Sequence, residues 1–466
     1  MRLGEDLDSD PQRRRRDAVT VAILSRGEML FANYRRRDKL FAMLKANLVL
    51  ALLAILAGAL AGLIVSLFRL ALNHGDRLRD LLILWAHGSP VLGFVLVVAT
   101  LASAAAVGSW LVRRFSPYAA GSGIPHVEAA VHGELPPAPI SLLPVKFIGG
   151  WLAIAGGLAL GREGPCVQMG ATTAEIFHRL FRPRSTDARI LLAAGAGAGL
   201  AAAFNAPVAG AVFVLEELVK RFETRIAIAA LGASAGAICV SRLFVGDAPE
   251  FHVAPLTYPD FNFSVWCAAL GVVAGFVGVA YNRAILGALR TNDRLHRWPV
   301  ELRASVIGAA VGVLAWFAPG LVGGGDPLTQ RALSGSDVIR VLPFVFLARF
   351  VLGAVSYSAG VSGGLFAPML TLGAQLGVIF GTVCRLNASA AAVVGMAAFF
   401  TAVVRAPLTG IVLITEMTGS FTQLLPMLFG CFTAMAVPTM LGNPPIYDSL
   451  RERTLGGSQR INSSPK

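Results

Sequence analysis

The sequence predicts an all-α, polytopic membrane protein built from two homologous halves, and three observations carry that prediction. The chain is strongly apolar, its apolar residues fall into runs long enough to cross a bilayer, and a set of residues recurs about 200 positions later.

Of 466 residues, 55% are hydrophobic and 14% are charged. Soluble chains carry about 25% charged residues, so most of this one must face lipid or pack against other embedded helices. Leu48 to Leu67, Val91 to Val112, Ile190 to Leu215 and Ala388 to Val404 are apolar runs. Each approaches or exceeds the roughly 20 residues that a spanning helix needs. Helix is required there because no water satisfies an open backbone, and the short alternating segments of a β-barrel do not occur.

The net charge is +13, and runs or clusters of cations flank the apolar region at both ends. Arg13 to Arg16 and Arg35 to Arg37 precede the first run, and Arg451, Arg453, Arg460 and Lys466 follow the last. The positive-inside rule then makes both tails cytoplasmic and the number of crossings even. These cations are read as topology determinants and lipid headgroup contacts, with no nucleic-acid partner. The first apolar run is too long for the core of a cleavable signal. Cys166, Cys239, Cys267, Cys384 and Cys431 are scattered singly without metal or redox spacing, and read as small buried hydrophobes. No metal or other cofactor is expected.

The repeat organises the chain. Ala206 to Glu216 recurs as Ala406 to Glu416, with Pro207, Gly210 and Glu216 matching Pro407, Gly410 and Glu416 at an offset of 200. Upstream, Pro165, Gly170, Ile176-Phe177 and Lys146-Phe147 match Pro368, Gly373, Ile379-Phe380 and Arg349-Phe350 at an offset of 203. The halves are placed at 40–245 and 262–447, flanked by tails 1–39 and 448–466 and joined by a polar connector, 246–261. Inverted halves, with a site at midplane where broken helices meet, are the common plan of secondary transporters. Parallel halves remain open at this point.

Three glycine-rich motifs share one design: Gly121-Ser122-Gly123-Ile124-Pro125, Gly161-Arg162-Glu163-Gly164-Pro165 and Gly363-Gly364-Leu365-Phe366-Ala367-Pro368. Each ends on a proline placed to begin a helix, where its missing N–H costs nothing. The glycines clear the approach to free backbone donors at the positive end of the helix dipole, which makes an anion site. Partial charges suit the task. An anion loses on the order of 20 kcal/mol of hydration in the idealised limit, yet a full cation would bind too tightly for transit.

These three motifs, with a late Tyr447, resemble the chloride channel and transporter (CLC) family over roughly 40–447. The resemblance implies two inverted halves with broken, tilted helices, and a homodimer in which each subunit has its own chloride pathway. It implies that the Ser122 hydroxyl, the Tyr447 phenol and the N–H groups of Leu365 and Phe366 hold a central anion. Gly121, Arg162, Glu163 and Gly164 would complete the anion-binding set. Glu163 would be the external gate, its carboxylate competing with the anion. Ser122, rather than proline, is linked in the family to chloride over nitrate. The paired nucleotide-sensing (CBS) domains of eukaryotic members are not expected after Tyr447, which favours a prokaryotic protein of the inner cell membrane.

Glu216 has the repeat counterpart Glu416 and reads as scaffold, whereas Glu217 aligns with Met417 and the architecture does not demand an acid there. An intramembrane acid without a structural reason is a candidate proton relay. The family places its internal proton-transfer glutamate at this position. The bland alternative is a surface ion pair of Glu217 with Lys220 or Arg221. Lys146 and Arg349 read either as electrostatic aids to anion occupancy or as interfacial anchors, and His126 has no assigned role. An enzyme would need a clustered nucleophile and base or a metal set. The histidines read mostly as loop residues, and the two Gly-x-Ser-x-Gly matches lack the strand-to-helix setting of a nucleophile elbow. The expected function is chloride/proton antiport, with a passive voltage- or pH-gated chloride channel as the alternative.

Overall fold

The computed structural model describes residues 11–181 and 185–463, and nearly all of them are helical. The first half supplies α1 (Pro11–Ala86), α2 (Pro90–Phe115), α3 (Ile124–His132), α4 (Leu142–Ala155) and α5 (Glu163–Phe181). It continues with α6 (Ser185–Phe204), α7 (Pro207–Phe213) and α8 (Thr224–Val245). After a connector without helix come α9 (Phe261–Arg294), α10 (Val300–Phe317), α11 (Asp326–Ser334) and α12 (Leu342–Tyr357). The chain ends with α13 (Phe366–Val383), α14 (Ala388–Val404), α15 (Pro407–Thr418), α16 (Leu424–Met440) and α17 (Ile446–Ser463). The segment up to Ala51 is a unit by itself. The side chains of Arg13 to Arg15, Arg35 to Arg37, Arg460 and Lys466 lie outside the described residues.

Seven helices among the described residues are long and apolar enough to cross a bilayer, beginning with Lys45–Ala86. Five more, α4, α12, α14, α15 and α16, are apolar but shorter. One expected span is corrected. Ile190 to Leu215 is not a single helix: α6 stops at Phe204, Asn205 takes a left-handed φ of 54°, and α7 restarts at Pro207. Apolar composition hides that break, although proline cannot continue the hydrogen-bonded ladder of a preceding helix.

The repeat is visible in the packing. α5 lies on α6 as α13 lies on α14, and the equivalent helices α2 and α10 pack on each other, as do α7 and α15. Small residues permit the close approach, as expected where helices meet in a membrane. Gly170 meets Gly195 and Gly199, and at matched positions Gly373 meets Gly395. The matched residues Gly161 and Gly364 pair as an antiparallel bridge, with N–H to carbonyl distances of 2.8 and 2.7 Å. That reciprocal pairing is the geometry of a local two-fold axis between the halves.

The same reciprocity explains the scaffold glutamates. Glu216 accepts from the N–H groups of Leu408 and Thr409 at 3.0 and 2.6 Å, capping α15. Glu416 accepts from Val208 and Ala209 at 3.1 and 2.8 Å, capping α7. Carboxylates suit both places, because the first N–H groups of a helix lack internal partners and carry its positive end.

Two further expectations change. Cys166, Cys267 and Cys431 are buried, but Cys384 is only partly so and Cys239 is exposed on α8. Histidines are not mainly loop residues, since His74, His126, His132 and His178 lie in helices. Arg451 and Arg453 of the C-terminal tail also have partners within the protein. Arg451 binds Glu128 and Glu134, and Arg453 binds Asp293.

Candidate functional site

The three motif loops meet at the centre of the molecule. Gly121 and Ser362 form a parallel bridge, in which Gly121 donates to Val361 at 2.8 Å and accepts from Gly363 at 3.1 Å. Gly121 and Gly123 adopt φ of 62° and 82°, the left-handed region that favours glycine. Gly164 serves by its lack of a side chain, because a Cβ there would stand 2.6 Å from Ser122 O and 2.8 Å from Ser122 Cα. The helices start slightly earlier than the prolines suggest, at Ile124, Glu163 and Phe366, so proline is the second or third helical residue.

Seven of the nine candidate residues come together here: Gly121, Ser122, Glu163, Gly164, Leu365, Phe366 and Tyr447. All the side chains among them are buried. Tyr447 stands at the start of α17 with its ring 6.3 Å from Phe366, which also packs on Phe204, Phe213 and Phe400. The Ser122 and Tyr447 hydroxyls have no hydrogen-bond partner among the described residues. Tyr357, Glu217 and Glu163 act electrostatically on the Tyr447 phenol, and the Ser122 hydroxyl faces it. Glu163 is 1% exposed, and one of its carboxylate oxygens accepts from the Ala367 N–H at 3.4 Å, in the first turn of α13. Tyr357 was not singled out from the sequence, yet its hydroxyl accepts from the Ser122 N–H at 3.4 Å.

Two cavities border residues of this cluster. One, of about 210 Å³, is lined by Glu163, Arg162, Gly161 and Ala367 together with Asp76 and Arg79. The other, of about 330 Å³, is lined by Gly121, Gly123 and Tyr357 together with His126 and Arg453. Arg162 lines the cavity beside Glu163. Its guanidinium binds Glu250 and faces Asp326 at 3.5 Å, so its charge is already engaged.

Lys146 and Arg349 are not interfacial anchors, because both are fully buried. Lys146 donates to the carbonyls of Ala119 and Gly121 at 3.0 and 2.8 Å. Arg349 donates to Leu321, Gly323 and Gly324 at 2.8 to 3.0 Å. Each cation thus fastens the loop before a short helix, α3 in one half and α11 in the other. Gly323-Gly324-Gly325-Asp326-Pro327 is the second-half counterpart of the first motif, 202 positions on. That spacing was the available signal for it.

Glu217 is set apart. It is 4% exposed with Oε1 unpartnered, and Lys220 pairs instead with Glu128 and Asp448 at 2.9 and 2.6 Å. The expected alternative of a surface ion pair is therefore overturned for Lys220. Glu217 sits in a π-turn, Val214–Leu218, whereas Met417 lies in the regular helix α15. The halves differ in backbone where they differ in charge, and such turns are frequent at functional positions.

The tight approach at Gly164 gives a first prediction. Gly164→Ala should push the Ser122 loop away and lower chloride turnover at least about tenfold, since displacements near 1 Å cost that much in positioned sites. Efflux from liposomes checks it, and turnover like wild type in a folded variant would show that Ser122 placement is unimportant.

A sequence model described as voltage gated chloride channel matches residues 102–439. The H(+)/Cl(-) exchange transporter ClcA of Cronobacter sakazakii is 40% identical over 428 residues, covering 88% of this chain and 91% of that protein. The same-named protein of Citrobacter koseri is 37% identical over 453 residues, covering 94% of each. Among solved structures, a slow cyanobacterial Cl−/H+ antiporter superposes with a TM-score of 0.83 at 32% identity, covering 87% of this chain and 98% of that one. A eukaryotic CLC transporter shares the fold, with a TM-score of 0.76 at 22% identity over 87% of this chain and 74% of that one.

Proposed function

The chain belongs to the voltage gated chloride channel family, and from that premise we propose that it exchanges chloride for protons across the inner cell membrane. The observation that carries the proposal is the pair of buried hydroxyls, Ser122 and Tyr447, without a hydrogen-bond partner among the described residues and with the Glu163 carboxylate in electrostatic reach of the phenol. Each buried donor left unmade costs about 1–3 kcal/mol. A chloride that accepts from both recovers that cost. The N–H of Phe366, first in α13, adds a donor at the positive end of a helix.

Glu163 competes for the same helix start. Its ionised carboxylate already accepts from Ala367, so it stands where an anion would be held, and protonation releases it. In this reading the cavity beside Glu163 opens to the exterior and the one beside Gly121 to the cytoplasm. Glu217 then passes protons from the cytoplasm toward Glu163, the Tyr447 phenol being within electrostatic reach of both. We further assign a homodimer with one pathway per subunit, both tails cytoplasmic, and Ser122 as the residue that favours chloride over nitrate.

Liposomes reconstituted with the protein test the exchange directly. A chloride gradient should drive protons uphill, and chloride flux without any proton movement would make the chain a passive channel. Tyr447→Ala should lower the protons moved per chloride while chloride still flows. An unchanged ratio would remove Tyr447 from the pathway.

A further inference from the structure

Glu250 belongs to the connector between the halves, outside every motif, yet its carboxylate reaches the residue next to the gate. We propose that Glu250 sets the external pH at which Glu163 opens, by holding Arg162 away from the Glu163 carboxylate. The inference rests on the reading of Glu163 as the gate.

One Glu250 oxygen binds Arg162, and the other accepts from Arg69 at 2.6 Å. The second terminal nitrogen of Arg162 faces Asp326 at 3.5 Å. Both terminal nitrogens of the guanidinium are therefore turned to acids other than Glu163, whose own contact is the long bond from the Ala367 N–H. The Arg162, Glu250 and Arg69 side chains are 9%, 13% and 7% exposed, so water screens them little. Burial pushes the Glu250 carboxyl up, but Arg162 and Arg69 outweigh it and hold the group below its ordinary value. Glu250 thus stays ionised and keeps its grip. Asp326 is a poorer holder, being farther from Arg162 and 44% exposed.

The sign follows from electrostatics. An opposite charge favours the ionised form of a carboxyl, and a like charge disfavours it. Neutralising Glu250 frees Arg162 to turn toward Glu163 and also removes a nearby negative charge. Both effects keep Glu163 ionised, so more acid is needed to open the gate. The other charged or titratable groups near Glu163 are Asp76, Arg79 and Asp80 from α1, Asp326 from α11, Cys166 one turn on, and Tyr447. The substitution leaves all of them in place.

The test is chloride efflux from liposomes at fixed internal pH, with external pH varied. Glu250→Gln should move the half-activation point to more acidic pH by about one unit, a tenfold higher proton concentration, within the range that a paired charge produces. Turnover at the acid extreme should match wild type, and Glu250→Asp, which keeps the charge, should stay near the wild-type profile. In a Glu163→Gln background, adding Glu250→Gln should move nothing, since the titrating group is gone. An unshifted midpoint in Glu250→Gln, or a shift that survives in the Glu163→Gln background, overturns the inference alone. Full pH dependence in Glu163→Gln by itself overturns the gate reading and this inference with it. Should Glu250→Gln fail to fold around two buried guanidinium groups, Glu250→Gln with Arg69→Gln removes one of them. That double variant should still shift the midpoint to more acidic pH, by less, because only the freeing of Arg162 remains.

Discussion

Glu217→Gln is expected to abolish proton movement while chloride continues to run down its gradient. Positioned proton transfer is worth about 10²- to 10⁴-fold in rate, so the proton flux should fall at least about a hundredfold. Folding should survive, because glutamine keeps the shape and the matched position in the other half holds Met417. A structural ion pair is a poor alternative explanation, since Lys220 is already engaged by Glu128 and Asp448. Simultaneous recording of chloride and proton in liposomes decides the matter. Protons still driven uphill by a chloride gradient in this variant would defeat the relay assignment.

Glu163→Gln should act on both ions. A permanently neutral side chain can neither carry a proton nor stand in for chloride at the start of α13. Exchange should become uncoupled chloride flux whose dependence on external pH is flat across the range where wild type is activated. Removing a titrating carboxyl leaves nothing there to shift. A steep pH profile in the variant would move the gate to another residue.

Much of this architecture could be read from the chain, for physical reasons that differ by element. The motif loops were legible because φ above zero and close backbone approach demand glycine, as at Gly121, Gly123 and Gly164. Glu216 was legible as scaffold because its duplicate Glu416 performs the mirrored capping task. The anchor alternative for Lys146 and Arg349 failed because their partners are backbone carbonyls, which no side-chain pattern announces. Glu250 and Tyr357 were missed because each reaches the site across a long stretch of chain from a segment without a motif. The engagement of Arg162 by Glu250 and Asp326 was hidden for the same reason.

The mirrored caps on α7 and α15 also bear on how the protein is made. Val208 and Ala209 depend on a carboxylate that lies 208 and 207 residues further along the chain. At a synthesis rate of about 5–20 residues per second, that carboxylate reaches the bilayer roughly 10–40 s after the helix it must cap. For that interval the newborn first half holds an open helix start with no acceptor of its own. The duplicated plan therefore makes insertion a joint event, in which neither half is complete until the ribosome has delivered the other.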